Sequence, residues 1–187
     1  MRIISGKYKG RRLTAPKKLP IRPTTDFAKE ALFNILNNYY DFTNLSVLDL
    51  FAGMGTISFE FGSRGAESIT AVDSHVGCVR YIQEITQLLS LPITVVKSDV
   101  FRFLKSFRTA QNIVFADPPY AFTPAQLKEL HTLICTQQLV AAEGMFILEH
   151  SKHTDISTLP YFTFSKRYGN TVFSFFEPEE KGSVDSK

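Results

Sequence analysis

Apolar stretches of strand length alternate with helix-length segments from residue 45 onward, and this alternation limits the possible folds more than any other feature of the sequence. The predicted strands are 47–51, 68–73, 93–97, 112–117 and 144–149. The predicted helices are 53–65, which begins in a glycine-rich turn, and then 76–89, 100–107 and 124–139. Strands that are separated by helices in this way run parallel, and the helices cover both faces of the sheet.

The C-terminal region follows a different pattern. Two aromatic-rich segments, 161–166 and 171–176, flank Tyr168-Gly169-Asn170, and no helix-length segment separates them. They are therefore predicted to form an antiparallel hairpin, which closes a mostly parallel, seven-stranded α/β sheet. Residues 25–177 would form this single domain. Residues 178–187 are polar and charged, and we expect them to be a disordered tail.

The positive charge of the chain is concentrated near its N-terminus. Residues 1–25 contain eight basic side chains and no acidic one, whereas the remaining residues contain thirteen basic and eighteen acidic side chains. The eight are Arg2, Lys7, Lys9, Arg11, Arg12, Lys17, Lys18 and Arg22. A basic segment on a mildly acidic body is typical of proteins that bind the phosphate backbone of a nucleic acid. The alternative is a solvated terminus that only keeps the protein soluble.

Residues 1–24, called the arm below, are predicted to be a hairpin and a linker. The segments 2–5 and 11–13 flank a glycine-containing stretch, which favours a short β-hairpin. A connector with three prolines follows and cannot continue a helix. The sequence Thr24-Thr25-Asp26 then offers N-cap chemistry for a helix that is predicted to run to about residue 39.

Several classes of protein are disfavoured by what the sequence does not contain. No apolar run approaches the length of a membrane span, and the first residues lack the apolar core of a signal peptide, so we expect a cytoplasmic protein. Cys78 and Cys135 form no metal-binding spacing, and His150 and His153 lack further ligands beside them. We therefore expect no metal and no membrane partner. We also expect a monomer.

A glycine-rich turn follows the first predicted strand, at the place where open α/β sheets bind nucleotide-like ligands. Gly53 and Gly55 allow the backbone to approach a ligand closely, although such glycines are often only turn residues. Position 58 is a serine, so the dinucleotide pattern G-x-G-x-x-G lacks its third glycine. Asp73 ends the second strand, eighteen residues after Gly55, where a carboxylate can accept both hydroxyls of a ribose.

Two further carboxylates have both a functional and a structural interpretation. Asp49 lies inside an apolar strand, so it should meet amide donors or the ammonium group of a ligand. Alternatively, it only holds the glycine loop in place. Asp99 follows the third strand, where it can meet an adenine amino group, but an aspartate there is equally suited to cap a helix.

The sequence Asp117-Pro118-Pro119-Tyr120 follows the fourth predicted strand. Two prolines end sheet pairing and give the loop a rigid conformation. In such a loop the Asp117 carboxylate and the Pro118 carbonyl can accept both hydrogens of an exocyclic amino group. The nitrogen lone pair would then point at a sulfonium methyl, while the base stacks on Tyr120. This pattern indicates an S-adenosylmethionine-dependent methyltransferase acting on a base amino nitrogen; taken alone, it is also compatible with an ordinary Asx turn.

These residues resemble class I (Rossmann-like) methyltransferases with a D-P-P-[YF] motif. More narrowly, the chain resembles the bacterial small-subunit ribosomal RNA guanine-N2 methyltransferase family of the RsmD type. The matching segments are Arg2-Ile3-Ile4-Ser5-Gly6, Gly10-Arg11-Arg12-Leu13, Arg22-Pro23-Thr24-Thr25-Asp26, Glu30-Ala31-Leu32-Phe33-Asn34, Leu48-Asp49-Leu50-Phe51-Ala52-Gly53, Ser63-Arg64-Gly65-Ala66 and Asp117-Pro118-Pro119-Tyr120.

The resemblance implies methylation of one guanine N2 in 16S rRNA on the assembling small ribosomal subunit, with S-adenosyl-L-methionine as cofactor. The residues expected at the cofactor are Asp49, Phe51, Ala52, Gly53, Gly55, Asp73, Ser74, Asp99 and Val100. The residues expected at the reacting base are Asp117, Pro118, Pro119 and Tyr120. The residues expected to contact RNA are Arg2, Lys7, Lys9, Arg11, Arg12, Arg22, Thr24 and Thr25.

The sequence departs from the family pattern at two places. Phe27-Ala28-Lys29 stands where the family often has a second arginine after Asp26, which bears on the RNA contacts. Met54 replaces a residue that is usually small, and it could reshape the pocket for the methionine part of the cofactor.

Three other functions use similar residues. A DNA adenine-N6 methyltransferase would usually need a separate segment to read duplex sequence, for which 187 residues leave no room. A protein-glutamine methyltransferase would typically carry Asn at position 117. An inactive RNA-binding scaffold would be expected to have lost the glycines or the D-P-P-Y residues, all of which are present.

Overall fold

The computed structural model describes residues 1–14 and 25–178. Within them the elements, in chain order, are α1 (Asp26–Leu36), β1 (Ser46–Leu50), α2 (Thr56–Arg64), β2 (Ser68–Asp73), α3 (Val76–Leu89), β3 (Ile93–Lys97), α4 (Val100–Ser106), β4 (Gln111–Ala116), α5 (Pro124–Thr136), β5 (Val140–Ser151), β6 (Phe162–Tyr168) and β7 (Thr171–Phe176). Among these residues, no helix is both long enough and apolar enough to cross a membrane. The predicted tail, apart from its first residue, and the predicted linker from residue 15 to 24 lie outside the described ranges.

The seven strands form one sheet in the order β3-β2-β1-β4-β5-β7-β6. Strands β1 to β5 are parallel to their neighbours, and β7 is antiparallel to both β5 and β6. The predicted α/β fold, with a mostly parallel sheet closed by an antiparallel hairpin, is confirmed. The strand order reverses between β1 and β4, and in open sheets a ligand crevice forms at such a point, beyond the carboxyl ends of the strands.

Alternate strand residues face two separate apolar cores. Val47, Ile113 and Ile147 belong to the larger core, to which α1, α2 and α3 contribute. Leu48 and Val114 belong to the second core, which α4 and α5 cover. Successive side chains of a strand point to opposite faces of the sheet. A strand that is covered by helices on both faces is therefore apolar at nearly every position.

Several predicted boundaries differ from the structure, and the largest differences are at α1, α2, α5 and β5. The helix predicted over 53–65 begins at Thr56, and the helix predicted over 124–139 ends at Thr136. The first helix ends at Leu36 rather than near residue 39, because Asn37 is its C-cap and residues 37–39 continue only as turns. The fifth strand was expected over 144–149 but runs from Val140 to Ser151, with a register shift opposite Gln111 and Ile113.

The described part of the arm, residues 1–14, packs on the body of the protein. Arg2 and Arg12 form an isolated antiparallel bridge, and Ile3 and Leu13 are buried in the larger core. Ile4 and Ser5 donate backbone hydrogen bonds of 2.9 and 3.0 Å to the Glu60 carboxylate on α2. The predicted hairpin is thus a short turn with a single bridge, held against a helix.

Buried charges hold α1, α2 and the arm together. The Lys29 ammonium of α1 lies 3.4 Å from the Glu60 carboxylate and donates a hydrogen bond to the Arg2 carbonyl. Arg64 forms a second ion pair with Glu60, at 3.0 Å. Burial lowers the pKa of Lys29, and the Glu60 charge counteracts this effect. Lys29 and Glu60 are both almost fully buried, so removing Glu60 would leave the Lys29 ammonium in the core without its nearest carboxylate.

Candidate active site

A cavity of about 340 Å³ opens at the carboxyl ends of β1, β4 and β5. The residues that line it come from distant parts of the sequence and are Thr25, Asp49, Phe51, Ala52, Gly53, Met54, Thr56, Ile57, Asp73, Ser74, His75, Cys78, Phe115, Asp117, Pro118, Pro119, Tyr120, Glu149 and Thr171. Its position is the one where open α/β sheets bind ligands.

The loop after β1 has an unusual backbone conformation. Phe51 has φ 60° although it is not glycine, and Gly53 follows with φ 55°. A left-handed conformation costs a residue with a Cβ roughly 1–2 kcal/mol, so the surrounding contacts must maintain it at Phe51. One such contact is an edge-to-face packing of the Phe51 and Phe122 rings, with centroids 5.5 Å apart. The result is a turn that presents backbone to the cavity.

Asp73 joins this loop to the next strand. Its two carboxylate oxygens accept hydrogen bonds from the backbone amides of Gly53, at 2.8 Å, and of His75, at 2.7 Å. A carboxylate has about four lone-pair positions, so it can accept further bonds from a ligand. Asp73 thus lines the cavity in a fixed orientation.

Asp49 is buried at the base of the cavity with only 1% of its surface exposed. The Ser58 backbone amide and hydroxyl both donate hydrogen bonds to Oδ2, at 3.1 and 2.5 Å. Burial raises the pKa of Asp49 to about 7, although the bonds from Ser58 counteract this effect. Asp49 therefore holds α2 through Ser58, whereas the glycine loop is bonded to Asp73, and Asp49 also lines the cavity.

Asp117 begins the loop after β4 at the opposite wall. Its amide donates to the Leu50 carbonyl at 3.3 Å, which continues the parallel pairing of β1 and β4 by one residue. The Pro119 carbonyl accepts a hydrogen bond from the Phe122 amide at 2.8 Å and so closes the loop. The Tyr120 hydroxyl lies 3.2 Å from the Thr171 hydroxyl, and 47% of the Tyr120 surface is exposed. Tyr120 thus lines the cavity with about half of its surface exposed.

Burial raises the pKa of Asp117 well above its usual value, and the charges of Glu149 and Asp49 raise it further. A carboxyl group with a raised pKa is a better proton acceptor once it is ionised. Perturbed carboxyl groups in a cavity are typical of functional sites, although they also occur in structural clusters.

Most of the predicted residues lie around this one cavity. The D-P-P-Y residues line it, as do Asp49, Phe51, Ala52, Gly53, Asp73 and Ser74. Gly55 is not among the lining residues; it is the N-cap of α2, and a Cβ there would lie 3.0 Å from the side chains of Ile82 and Phe59. Asp99 caps α4 by accepting from the Arg102 amide, and Val100 is buried in the second core. Neither Asp99 nor Val100 is among the lining residues, and their predicted adenine contacts stay predictions.

The residues predicted to bind RNA fall into three groups. Five are exposed on the described part of the arm: Arg2, Lys7, Lys9, Arg11 and Arg12. Thr25 caps α1 and lines the cavity instead. Arg22 and Thr24 lie outside the described residues. Arg2 and Lys9 also line a second cavity of about 430 Å³, between the arm, α1 and Arg64 of α2.

Sequence reasoning missed several polar residues of the cavity, which are Thr56, His75, Glu149 and Thr171. Glu149 follows Met145-Phe146-Ile147-Leu148 and is an acidic residue at the end of a predicted strand, the same signal that singled out Asp73. That signal was available in the sequence. Thr171 gave no comparable signal, because only the pairing of β7 with β5 brings it to the cavity.

Comparison with known proteins identified close similarity over nearly the whole chain. The model of a family described as "Conserved hypothetical protein 95" matches residues 1–177. The protein YlbH of Bacillus subtilis (strain 168) is 35% identical over 161 residues, which cover 83% of this chain and 85% of that protein. A protein of Escherichia coli (strain K12) named "Ribosomal RNA small subunit methyltransferase D" is 30% identical over 190 residues, which cover 100% of this chain and 94% of that protein.

Solved structures show the same fold. The structure of the yhhF protein from Escherichia coli matches with a TM-score of 0.82 and 28% identity, over 94% of this chain and 96% of that one. The RsmC 16S rRNA N2 methyltransferase of T. thermophilus, in complex with AdoMet and guanosine, matches with a TM-score of 0.67 and 19% identity. That match covers 82% of this chain and 43% of RsmC, and it establishes similarity of fold alone.

Proposed function

The chain belongs to the family of conserved hypothetical protein 95, and on this premise we propose that it is an S-adenosylmethionine-dependent methyltransferase. Its substrate is the exocyclic N2 of a guanine in small-subunit ribosomal RNA. Methylation of ribosomal RNA is supported by the name of the relative in Escherichia coli, which aligns with the entire chain. The choice of guanine N2 rests on the chemistry of the Asp117 loop and on the family resemblance.

One observation carries this proposal: a single cavity joins the glycine-rich loop after β1, with Asp73, to the D-P-P-Y loop after β4. A methyltransferase needs a site for its methyl donor and a site for its acceptor within reach of each other, because holding the reactants in line lowers the barrier by about 7–11 kcal/mol. The two loops are neighbours because β1 and β4 are adjacent at the switch point of the sheet.

The lining residues fit the proposed cofactor. Asp73 can accept hydrogen bonds from ribose hydroxyls, and the Gly53 backbone leaves space beside it. Asp49 offers a buried carboxylate to the cationic amino-acid end. When bound, S-adenosylmethionine supplies a methyl group on a positively charged sulfur.

In this proposal Asp117 and the Pro118 carbonyl accept hydrogen bonds from the two hydrogens on N2. These bonds weaken the delocalisation of the nitrogen lone pair into the base, so that it can form the new N–CH₃ bond as the S–CH₃ bond breaks. The thioether leaves as a neutral group, and the nitrogen gives up one proton. Asp117 is placed to receive that proton, because its raised pKa makes it a stronger base than an ordinary aspartate.

The test is to incubate the protein with radiolabelled S-adenosylmethionine and undermethylated small ribosomal subunits, and then to map the modified nucleotide. We expect label on N2 of a single guanine. Label in DNA or in protein would contradict the proposed substrate.

The matched variant for this test is Asp117→Ala. It should reduce methyl transfer to background while calorimetry still detects cofactor binding close to that of the unaltered protein. Loss of cofactor binding would mean that Asp117 acts at the donor and not at the base.

A further inference from the structure

Phe27, in the first turn of α1, is the most exposed large apolar side chain among the residues that the structure describes. Its surface is 70% exposed, whereas Ala28 and Lys29, the next two residues of the helix, are buried. A phenylalanine in such a position adds little to the core, because an apolar side chain stabilises a fold through its burial. Single exposed apolar residues are common on protein surfaces, so the surroundings of Phe27 decide whether it has a role.

Two connections place Phe27 beside the cavity. Thr25, two residues before it, is the N-cap of α1 and lines the cavity. The Phe27 ring packs edge to face with the ring of Tyr168, with centroids 5.9 Å apart. Tyr168 of β6 pairs with Thr171 of β7, and Thr171 also lines the cavity. Paired residues of antiparallel strands have their side chains on the same face of the sheet, so both α1 and the β6–β7 hairpin link Phe27 to the cavity.

The arm reaches the same turn of α1. The Arg2 guanidinium lies 4.0 Å from the carboxylate of Asp26, the residue directly before Phe27. Both side chains are about half exposed, and ion pairs between exposed groups contribute little to stability. Arg2 can therefore exchange Asp26 for an RNA phosphate at little cost. The first turn of α1 thus contacts a cation of the arm and also contributes to the cavity.

An exposed aromatic ring next to a cation is an arrangement that fits unpaired RNA. A base that enters an active site must leave the stack of its own strand, and its neighbours then lose a stacking partner. Proteins that hold unpaired nucleotides offer aromatic side chains on which such bases stack, together with cations that follow the phosphates. The occupant that matches both features of this turn is a nucleotide of the strand that carries the reacting base.

We propose that Phe27 is a stacking site for a nucleotide that directly adjoins the target guanine, with Arg2 at a phosphate of the same strand. This assignment rests on the proposed function and adds to it a second base site, outside the cavity. Tyr168 is a positioning residue in this arrangement, because its ring packs against that of Phe27.

The experiment is a double-mutant cycle between Phe27 and the RNA. Small subunits are reconstituted with 16S rRNA in which the nucleotide on the 5′ or on the 3′ side of the mapped guanine is abasic, and kcat/KM of methyl transfer is measured. On intact RNA we expect Phe27→Ala to lower kcat/KM about five- to a hundredfold, as is typical when a base loses its aromatic stacking partner. On the RNA that lacks the stacked base, the same variant should change kcat/KM by less than about twofold.

Further variants separate stacking from other roles of the side chain. Phe27→Tyr keeps an aromatic ring and should retain the transfer rate, whereas Phe27→Leu keeps apolar surface without a ring and should lose activity as Phe27→Ala does. Tyr39→Ala is the matched control, because Tyr39 is also an exposed aromatic residue but lies beyond the opposite end of α1, and it should have little effect. Calorimetry should find the same cofactor affinity in all of these variants.

The outcomes separate this inference from the proposed function. An unchanged kcat/KM in Phe27→Ala, or a loss that is equal on the intact RNA and on both abasic RNAs, would overturn the stacking site alone. The second of these results would mean that Phe27 contacts a protein of the subunit or supports the fold. Absence of transfer to intact RNA by the unaltered protein would overturn the proposed function as well.

Discussion

At the scale of single residues, the four carboxyl groups that line one cavity have different surroundings. Asp49 accepts two hydrogen bonds from Ser58 and is held by the protein itself. Asp117 lies beside Glu149 at the end of the sheet, and burial together with its acidic neighbours raises its pKa. The same residue type can therefore serve as a fixed anchor in one position and as a proton acceptor in another.

The raised pKa of Asp117 predicts an acid limb in the rate of methyl transfer. Asp117 must be ionised to accept hydrogen bonds from the amino group, so kcat/KM should fall as the pH is lowered through the raised pKa of the free protein. In the bound complex the amino hydrogens stabilise the carboxylate, so the corresponding limb of kcat should lie at lower pH. Both profiles can be measured with labelled cofactor. A rate that stays constant down to about pH 4, the usual range for aspartate, would contradict the role of Asp117.

The raised pKa of Asp49 predicts a change of stability with pH. Below the pKa of the unfolded state Asp49 is protonated in both states, and its burial costs no charge desolvation. As the pH rises from there to about 7, the folded state retains the proton that the unfolded state loses, and stability falls. Asp49→Asn removes this pH-dependent loss of stability, because asparagine does not ionise. Its amide oxygen can still accept both hydrogen bonds from Ser58. Above pH 7 the variant should therefore be more stable, by up to about 4 kcal/mol, in denaturant titration of the cofactor-free protein.

The same variant should bind the cofactor more weakly, which calorimetry measures. At about pH 4 its stability should match that of the unaltered protein, and this comparison is the internal control. A variant that is less stable at high pH would show that Asp49 is ionised and well compensated in the folded protein.

At the scale of elements, the sequence predicted the bounds of several helices and strands whose ends are marked by local sequence signals. The bounds of β2, α3, β3 and β7 agree with the prediction at both ends. The early end of α1 was missed although its C-cap, Asn37, is visible in the sequence. The extension of β5 was not predictable, because it depends on pairing with the neighbouring strand β4. Most of the candidate site followed from motifs at strand ends. Thr171 did not, since an antiparallel pairing across the sheet brings it there.

The docking of the arm on α2 predicts different effects for two glycines. Gly6 and Gly10 have nearly the same backbone conformation, with φ of 79° and 83°. A Cβ on Gly6 would lie 1.8 Å from the Ser63 carbonyl oxygen, whereas a Cβ on Gly10 meets no atom within 4 Å. Gly10→Ala should therefore cost only the backbone strain, about 1–2 kcal/mol, and Gly6→Ala clearly more. Urea unfolding of the two variants measures the difference, and equal losses would mean that the arm is not held at α2.

At the scale of the whole molecule, basic and acidic groups are unevenly distributed. The described part of the arm carries five exposed cations, while the chain after residue 25 has more acidic than basic groups. Such an arrangement directs a polyanion to one side of a protein. The arm is also packed into the core through Ile3 and Leu13, so its deletion would remove packing as well as charge. Charge substitution is therefore the cleaner test of RNA binding.

Neutralising three cations of the arm should weaken binding to ribosomal RNA and reduce its dependence on salt. The substituted residues are Lys7, Lys9 and Arg12, each to Gln. If all three contact phosphates, the slope of log K against log salt should fall by about 2–3. The matched control replaces three exposed cations on the α4 and α5 side of the sheet: Arg102, Lys105 and Lys128. Equal effects of the two triple variants would mean that the cations of the arm do not bind the RNA in particular and only keep the protein soluble.

The contacts between the arm and α2 also determine when this part of the molecule can form. Ile4 is bonded to Glu60, and Tyr8 to Ser63, across 56 and 55 positions of the chain. Contacts between residues so far apart form late, because the entropy of closing the intervening loop must be overcome first. The N-terminal hairpin is synthesised first but can dock only after α2 exists. The arm is therefore synthesised before α2 but folds after it. A growing chain carries this basic segment undocked at least until residue 64 has been added.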